Sequence, residues 1–247
     1  MVRAAVMPVA GAPVEVRELP RPVLEEGGIL LRTIYSEVCG TDVHLHHGRL
    51  AGVPYPLIPG HVNVGRIEEV RGAPVDLDGS PLRAGQVVTF LDVHETCGQC
   101  WFCTVARAST RCPHRRVYGI TYGAGEGLLG GWSECIYLKP GVKVLPLPES
   151  VPPERFIGAG CSLPTAVHAI ERAEIRLGDT VVVQGSGPVG LTAAILAQLC
   201  GATQVVVVGG PEHRLREAVR IGADAVVSIE TASPEERLAR VLELTGG

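Results

Sequence analysis

The chain has 247 residues, of which 46% are hydrophobic and 19% are charged, a balance that excludes a disordered chain and allows one large domain or two smaller ones. Its formal net charge of -4 and its aromatic content of 4% argue against a nucleic-acid or acidic-membrane partner, which would need a basic or base-stacking face. No apolar run approaches the roughly 20 residues of a spanning helix.

The N-terminus lacks the extended apolar run of a signal peptide, so we predict a cytoplasmic location. In that reducing setting the eight cysteines are expected to bind metal or do redox work, not to form disulfides. Cys135 and Cys200 have no cysteine close by in the sequence, and we predict that they are small buried residues.

Residues 1–150 are predicted to form a β-rich domain. Short β-branched segments such as RIEEV (66–70) and QVVTFLDV (86–93) alternate with glycine and proline turn signals, a pattern typical of a barrel or sandwich. Prolines then cluster in VLPLPESVPPER (144–155), which marks the predicted domain boundary.

The stretch EVCGTDVHLHHG (37–48) has a cysteine, a threonine, an aspartate and three histidines within twelve positions. Such a density fits either a polar loop or one wall of a metal site. A single cysteine does not decide between these two interpretations.

A cysteine cluster follows in ETCGQCWFCTVARASTRC (95–112), where the gaps between successive cysteines are two, two and eight residues. Short gaps let thiolates converge on one ion, and a longer loop can return the fourth ligand. The spacing predicts a closed, structural zinc site at Cys97, Cys100, Cys103 and Cys112. Four reduced thiols or an iron–sulfur cluster are the alternatives.

Residues 151–247 change to alternating strands and helices, which predicts a parallel sheet. The predicted strands are TVVVQ (180–184), QVVVV (204–208) and AVVSI (225–229), and the predicted helices are PTAVHAIERA (164–173), LTAAILAQLC (191–200) and EHRLREAVRIGA (212–223).

A glycine-rich turn joins the first of these strands to the next helix, in TVVVQGSGPVGLTAA (180–194). Gly185, Gly187 and Gly190 form a GxGxxG motif, with Pro188 and Val189 between the last two glycines. In this strand–turn–helix setting the motif predicts that a dinucleotide pyrophosphate binds at the helix N-terminus. A glycine turn with no nucleotide is the alternative.

Five segments in order resemble the zinc-dependent medium-chain alcohol and polyol dehydrogenases: CGTDVH (39–44), PGHVNVGRI (59–67), the four-cysteine segment, GCSLPTAVHA (160–169) and GSGPVG (185–190). The resemblance covers essentially the whole chain. It implies an α/β protein in which a GroES-like β-barrel at 1–150 carries two zinc sites and a Rossmann domain, a doubly wound parallel sheet, occupies 151–247.

By this resemblance Cys39, His61 and Cys161 hold a catalytic zinc with one open position, a ligand set already known for alcohol dehydrogenase. Asp42 matches a carboxylate that orients the ligand histidine. The total implied is two zinc ions per chain.

The resemblance also implies that Thr41 and His44 pass the alcohol proton toward solvent, and that Thr165 lies near the nicotinamide. Two features depart from the family pattern: Val62 replaces the usual glutamate after the ligand histidine, and the gap between Cys103 and Cys112 is one residue longer than in many relatives.

The cofactor is NAD or NADP. An acidic residue usually follows the second strand of NAD-binding folds, but Gly209 occupies that position here. Arg214 or His213 could instead attract a 2′-phosphate. Since the sequence ends in ELTGG after the third predicted strand, we expect only the first half of the Rossmann domain, as in a fragment or truncated form.

The predicted function is hydride transfer between an alcohol, such as a polyol or sugar alcohol, and NAD(P), with a small-molecule alcohol or carbonyl substrate and a homo-oligomeric state. One alternative is a non-catalytic zinc- and nucleotide-binding relative. Another is a zinc-ribbon nucleic-acid binder, which the negative net charge disfavours.

Overall fold

The computed structural model describes residues 1–247, and the chain folds as two units, Met1–Gly158 and Ala159–Gly247. The division falls shortly after the proline-rich stretch. Helix α3 (Pro153–Ala159) ends at this division.

The first unit is built from short antiparallel strands, as the turn-rich sequence predicts. Its nine strands are β1 (Val2–Val6), β2 (Glu15–Leu19), β3 (Ile29–Ser36), β4 (Asn63–Val70), β5 (Val87–Phe90), β6 (Val93–Glu95), β7 (Arg116–Val117), β8 (Cys135–Leu138) and β9 (Val144–Pro146). Five of them form one sheet in the order β8-β3-β4-β5-β9, and β1 pairs with β2 and β6 with β7. Closure of these sheets into a barrel stays a prediction.

Burial explains why these segments are strands. In β1 the side chains of Val2, Ala4 and Val6 are buried while Arg3 is exposed, the period-two alternation of a strand with one face on the core. In β3, Ile29–Ser36, the first three residues are all buried because this strand lies inside the five-stranded sheet, between β8 and β4.

Two short helices interrupt these strands. Helix α1 (Gly40–His46) follows β3, and α2 (Trp101–Thr104) is a single turn between β6 and β7. Both lie in the segments that the sequence singles out for metal binding.

The second unit is a three-stranded parallel sheet with helices between its strands. The strands are β10 (Thr180–Gln184), β11 (Gln204–Gly209) and β12 (Ala225–Ser228), and the helices are α4 (Ser162–Ala173), α5 (Pro188–Leu199), α6 (Glu212–Arg220) and α7 (Pro234–Thr245). The sheet order is β10-β11-β12. The predicted alternation of parallel strands and helices is therefore confirmed for this unit.

Local corrections concern helix ends and one cysteine. Helix α4 begins at Ser162, so Pro164 lies within its first turn and does not open it. Helix α7 was not predicted, although Ser233 and Glu236 form a capping box at its start. Cys200 is exposed, contrary to the prediction, because it caps the C-terminal end of α5; Cys135 is buried as predicted.

None of the helices combines the length and the apolar character that crossing a bilayer would require.

Candidate metal centres and dinucleotide-binding loop

The first candidate centre lies where strands β3 and β4 meet. Their antiparallel register pairs Ser36 with Asn63, so the residues just after β3 and just before β4 must lie close together. Cys39 and His61 occupy these positions, and the Cys39 Sγ and His61 Nε2 atoms are 3.4 Å apart. Sheet register thus joins two candidate ligands that are distant in sequence.

The Asp42 carboxylate contacts both of these residues. Its Oδ2 accepts a hydrogen bond from the Cys39 backbone N–H at 2.9 Å, and its Oδ1 accepts one from the Gly60 N–H at 3.4 Å. The same Oδ1 is 3.8 Å from His61 Nδ1, too long for a hydrogen bond but close enough for charge attraction. Asp42 is only 1% exposed, so its position is well defined by the surrounding protein.

The electrostatics of this pair favour positive charge. Burial is the largest influence on the pKa of His61 and lowers it, but the Asp42 carboxylate and the Cys39 sulfur outweigh this effect and raise the pKa to about 10. His61 is 5% exposed, and its Nδ1 has no hydrogen-bond partner. The local field therefore stabilises either a proton on His61 or a cation in its place.

Helix α1 carries the other predicted residues of this region. The Thr41 N–H donates to Cys39 Sγ at 3.3 Å, which supports negative charge on that sulfur. Thr41 is half-buried and His44 exposed, and their spacing of three residues puts them on one helix face. Val62, directly after His61, offers no carboxylate.

The second candidate centre is the four-cysteine lobe, residues 96–115, which is closed at its base by the pairing of β6 with β7. The Sγ atoms of Cys97, Cys100, Cys103 and Cys112 all lie within 4.8 Å of one another. Two of the separations, Cys97 to Cys112 and Cys100 to Cys103, are 3.5 Å. Zinc–sulfur bonds of about 2.3 Å in a tetrahedron place sulfurs about 3.8 Å apart, so the four sulfurs fit a zinc ion.

Two of these thiols, Cys97 and Cys103, have pKa values displaced in opposite directions. Backbone N–H groups of Gln99 and Cys100 lower the pKa of Cys97 to about 6, whereas loss of hydration and the neighbouring Cys100 sulfur raise that of Cys103 to about 11. Crowded thiolates repel one another, so a second negative sulfur is disfavoured without a cation among them. A divalent ion would remove this conflict.

The third feature is the glycine-rich loop between β10 and α5. Gly185 has a φ of +117°, which favours glycine. A Cβ on Gly190 would lie 1.8 Å from the Gly185 carbonyl oxygen, so only glycine allows this close approach of helix and loop. Gly187 caps α5 in extended backbone conformation, followed by Pro188 and the exposed Val189.

Space is available beside the middle glycine. A Cβ on Gly187 would meet nothing nearer than an Nη1 of Arg214 at 3.9 Å. A pyrophosphate can therefore approach the N-terminus of the twelve-residue helix α5, with the Arg214 guanidinium close to the same loop. The open glycine backbone, the helix N-terminus and the nearby guanidinium are together suited to the negative charge of a dinucleotide pyrophosphate.

The structure adds Ser186, which the sequence analysis missed. Its hydroxyl donates to the Gly210 carbonyl and accepts from the Gly210 N–H, both at 2.9 Å, so it ties the glycine-rich loop to the end of β11. Nothing in a single sequence signals this bond, because its partners belong to different loops.

Cys161 and Thr165 lie in the second unit, at the start of α4. Cys161 occupies the N-cap position, and Thr165 Oγ1 donates to the Cys161 carbonyl at 2.8 Å. This bond anchors the threonine hydroxyl one helical turn from the cysteine.

Known proteins resemble this chain over its whole length. Residues 25–149, about half of the chain, match the family described as the alcohol dehydrogenase GroES-like domain. The 5-exo-hydroxycamphor dehydrogenase of Pseudomonas putida is 35% identical over 251 residues, which cover 99% of this chain and 66% of that protein.

Solved structures agree with this relationship. The crystal structure of an alcohol dehydrogenase from Thermotoga maritima has a TM-score of 0.89 and 36% identity, covering 100% of this chain and 68% of that one. A zinc-binding dehydrogenase from Sinorhizobium meliloti, solved bound to NADP, has a TM-score of 0.77 and 27% identity, covering 94% of this chain and 63% of that one.

The chain belongs to the zinc-type medium-chain alcohol dehydrogenase family, with the GroES-like domain of that family in its first unit. The predicted family is thereby confirmed. The chain spans about two thirds of the length of these relatives.

Proposed function

We propose that this protein is a zinc-dependent oxidoreductase that transfers hydride between an alcohol, such as a polyol or sugar alcohol, and NAD(P). The observation that carries the proposal is the Cys39–His61 pair, with Sγ and Nε2 3.4 Å apart and the buried Asp42 carboxylate behind both, in a chain of this family.

Cys39, His61 and Cys161 would hold the catalytic zinc. Two sulfurs and one imidazole leave a fourth position open for water or substrate. The assignment of Cys161 rests on the family resemblance, and that of Cys39 and His61 also on their geometry. When bound, zinc acts as a Lewis acid that lowers the pKa of the alcohol hydroxyl.

The remaining chemistry belongs to the protein's own side chains. Asp42 holds the Cys39 backbone and attracts the His61 ring, which orients both ligands. The Thr41 hydroxyl and the His44 imidazole, on one face of α1, would carry the alcohol proton to solvent.

Cofactor binding is assigned to the second unit. The backbone of Gly185, Gly187 and Gly190, with Pro188 and Val189, would cradle the pyrophosphate, and Arg214 would neutralise part of its charge. Thr165 would lie near the nicotinamide, as the resemblance implies.

A structural zinc on Cys97, Cys100, Cys103 and Cys112 would bring the content to two zinc ions per chain. Reduced thiolates are required at both zinc sites, which favours the cytoplasm. A homo-oligomer is proposed from the resemblance, and sedimentation would test it.

The experiment for the proposed function measures zinc content, cofactor binding and NAD(P)H formation with a panel of primary alcohols, secondary alcohols and polyols. We expect two zinc ions and cofactor reduction with at least one alcohol class. Two zinc ions and cofactor affinity without turnover on any alcohol would favour the alternative, a non-catalytic zinc- and nucleotide-binding relative. Val62, which removes the usual carboxylate beside His61, is the observation that supports this alternative.

Asp42→Ala is expected to lower the affinity of the catalytic zinc by about 10–100-fold. The reason is that Cys39 and His61 lose the carboxylate that orients them. Competition with a chromophoric chelator would measure this affinity. Asp42→Asn is the matched control, because the amide oxygen can still accept one of the backbone bonds, and it should lie between the wild type and Asp42→Ala; equal affinities for all three proteins would contradict the assigned role.

Gly190→Ala and Gly187→Ala should separate folding from cofactor binding. A Cβ at 190 would overlap the Gly185 carbonyl, so we expect a loss of about 2–3 kcal/mol in the free energy of unfolding. Gly187→Ala should leave stability nearly unchanged, since an extended φ suits alanine, yet lower cofactor affinity because the new methyl group occupies the approach to the backbone. Urea unfolding and NADH titration measure the two effects; unimpaired NADH binding by Gly187→Ala would contradict the proposed loop.

A further inference from the structure

The end of strand β11 has no room for the acidic residue that NAD-binding folds usually place there. A Cβ on Gly209 would lie 2.4 Å from Ser186 Oγ and 2.7 Å from Ser186 N. Ser186 is 2% exposed and is held by its two hydrogen bonds to Gly210. A carboxylate at position 209 would therefore displace the glycine-rich loop itself.

A different carboxylate, which follows the next strand, lies beside Gly210, the residue directly after β11. Glu230 follows β12 by two residues, and its Oε2 accepts a hydrogen bond from the Glu212 N–H, the first residue of α6, at 3.2 Å. Its Cγ and Cδ lie 3.3 and 3.6 Å from the position that a Cβ on Gly210 would take. The bond to Glu212 engages one of the two carboxylate oxygens and holds the group at the exit of β11.

Helix α6, whose first N–H binds this carboxylate, carries three charged or titratable side chains near its start. Glu212 is exposed and pairs loosely with Arg216 at 4.0 Å, and His213 is exposed beside it. Arg214 turns toward Gly187, on the pyrophosphate side of the loop. In this position the Arg214 guanidinium can neutralise the pyrophosphate, so its presence does not require a 2′-phosphate. Glu230 lies near the end of β11, the part of the fold that normally holds the ribose hydroxyls of a dinucleotide.

We propose that Glu230 binds the adenosine ribose in place of the missing carboxylate at position 209, and that the site therefore selects NAD(H) over NADP(H). The inference rests on the proposed dinucleotide site. A carboxylate accepts hydrogen bonds from the 2′- and 3′-hydroxyl groups and repels a 2′-phosphate.

The test is direct titration of the protein with NADH and with NADPH, followed by nicotinamide fluorescence, for the wild type and for Glu230→Gln. The glutamine keeps an oxygen for the Glu212 N–H but removes the charge. We expect the wild type to bind NADH at least tenfold more tightly than NADPH, and Glu230→Gln to reduce this ratio by about tenfold. Glu212→Gln, a neighbouring exposed acid, is the control and should change the ratio less than about threefold.

Equal or tighter binding of NADPH by the wild type would overturn the inference, as would an unchanged ratio in Glu230→Gln with an intact circular dichroism spectrum. Binding of neither nucleotide would overturn both the inference and the proposed dinucleotide site. Selective NADH binding that depends on Glu230, without alcohol turnover, would support the inference while the proposed oxidoreductase function fails.

Discussion

Cys39→Ser is expected to remove one of two zinc ions and to lower the rate of alcohol oxidation by about a thousandfold or more. The Sγ atom of Cys39 lies 3.4 Å from His61 Nε2 and receives the Thr41 N–H, so serine replaces a soft thiolate with a hydroxyl that rarely ionises near neutral pH. A Lewis acid contributes several kcal/mol to such a reaction, and each 1.36 kcal/mol is about tenfold in rate.

The measurements are zinc per chain by mass spectrometry and initial rates of NAD(P)H formation with the best substrate of the panel. NADH binding to the second unit should be unchanged within about threefold, because the variant alters only a ligand in the first unit. Cys200→Ser is the matched control: that cysteine is exposed at the end of α5 and its loss should change neither zinc nor rate. Full turnover by a Cys39→Ser protein that has lost one zinc would eliminate the proposed mechanism.

Much of the fold follows from patterns that single segments contain. The apolar runs TVVVQ and QVVVV predict two buried strands, and the glycine motif after TVVVQ predicts the start of α5. QVVVV is largely buried in β11 as predicted, whereas the side chains of β10 are half-buried or exposed. These signals are local, so propensity and periodicity suffice. Helix α7, which was not predicted, begins at a signal of the same local kind, the capping box of Ser233 and Glu236.

The candidate sites differ in the same way: some are built from residues close in sequence and others from residues of distant segments. The four-cysteine site can be predicted from the sequence because its candidate ligands are close together in the chain. The pairing of β6 with β7 only closes the loop that the cysteine spacing already predicts. The meeting of Cys39 with His61 depends on the β3–β4 register, and the bonds from Ser186 to Gly210 and from Glu212 to Glu230 join separate loops. Such contacts are set by the tertiary fold, so no local pattern could show them. The pairing of Cys39 with His61 could be predicted only from the resemblance to the zinc-dependent alcohol dehydrogenases.

Cys97→Ser is expected to remove the other zinc ion and to unfold the lobe at residues 96–115 while the rest of the first unit stays folded. The lobe contributes no apolar cluster to the core: Trp101 is 61% exposed, and α2 buries no residue. We therefore expect its order to come from the proposed zinc ion, since the apparent contribution of zinc in zinc-finger peptides is about 10–16 kcal/mol, far above the roughly 1 kcal/mol of a single hydrogen bond.

Hydrogen exchange with mass spectrometry would locate this effect. We expect peptides within 96–115 to lose protection in Cys97→Ser, with fraying of the short β6–β7 ladder, while peptides from β3, β4 and β5 keep theirs. Cys39→Ser provides the reciprocal control, since it should lose one zinc with the lobe still protected, and the double variant should contain none. If the lobe in zinc-free Cys97→Ser protein kept full protection, the prediction would be wrong. The polypeptide alone would then be sufficient to order the lobe.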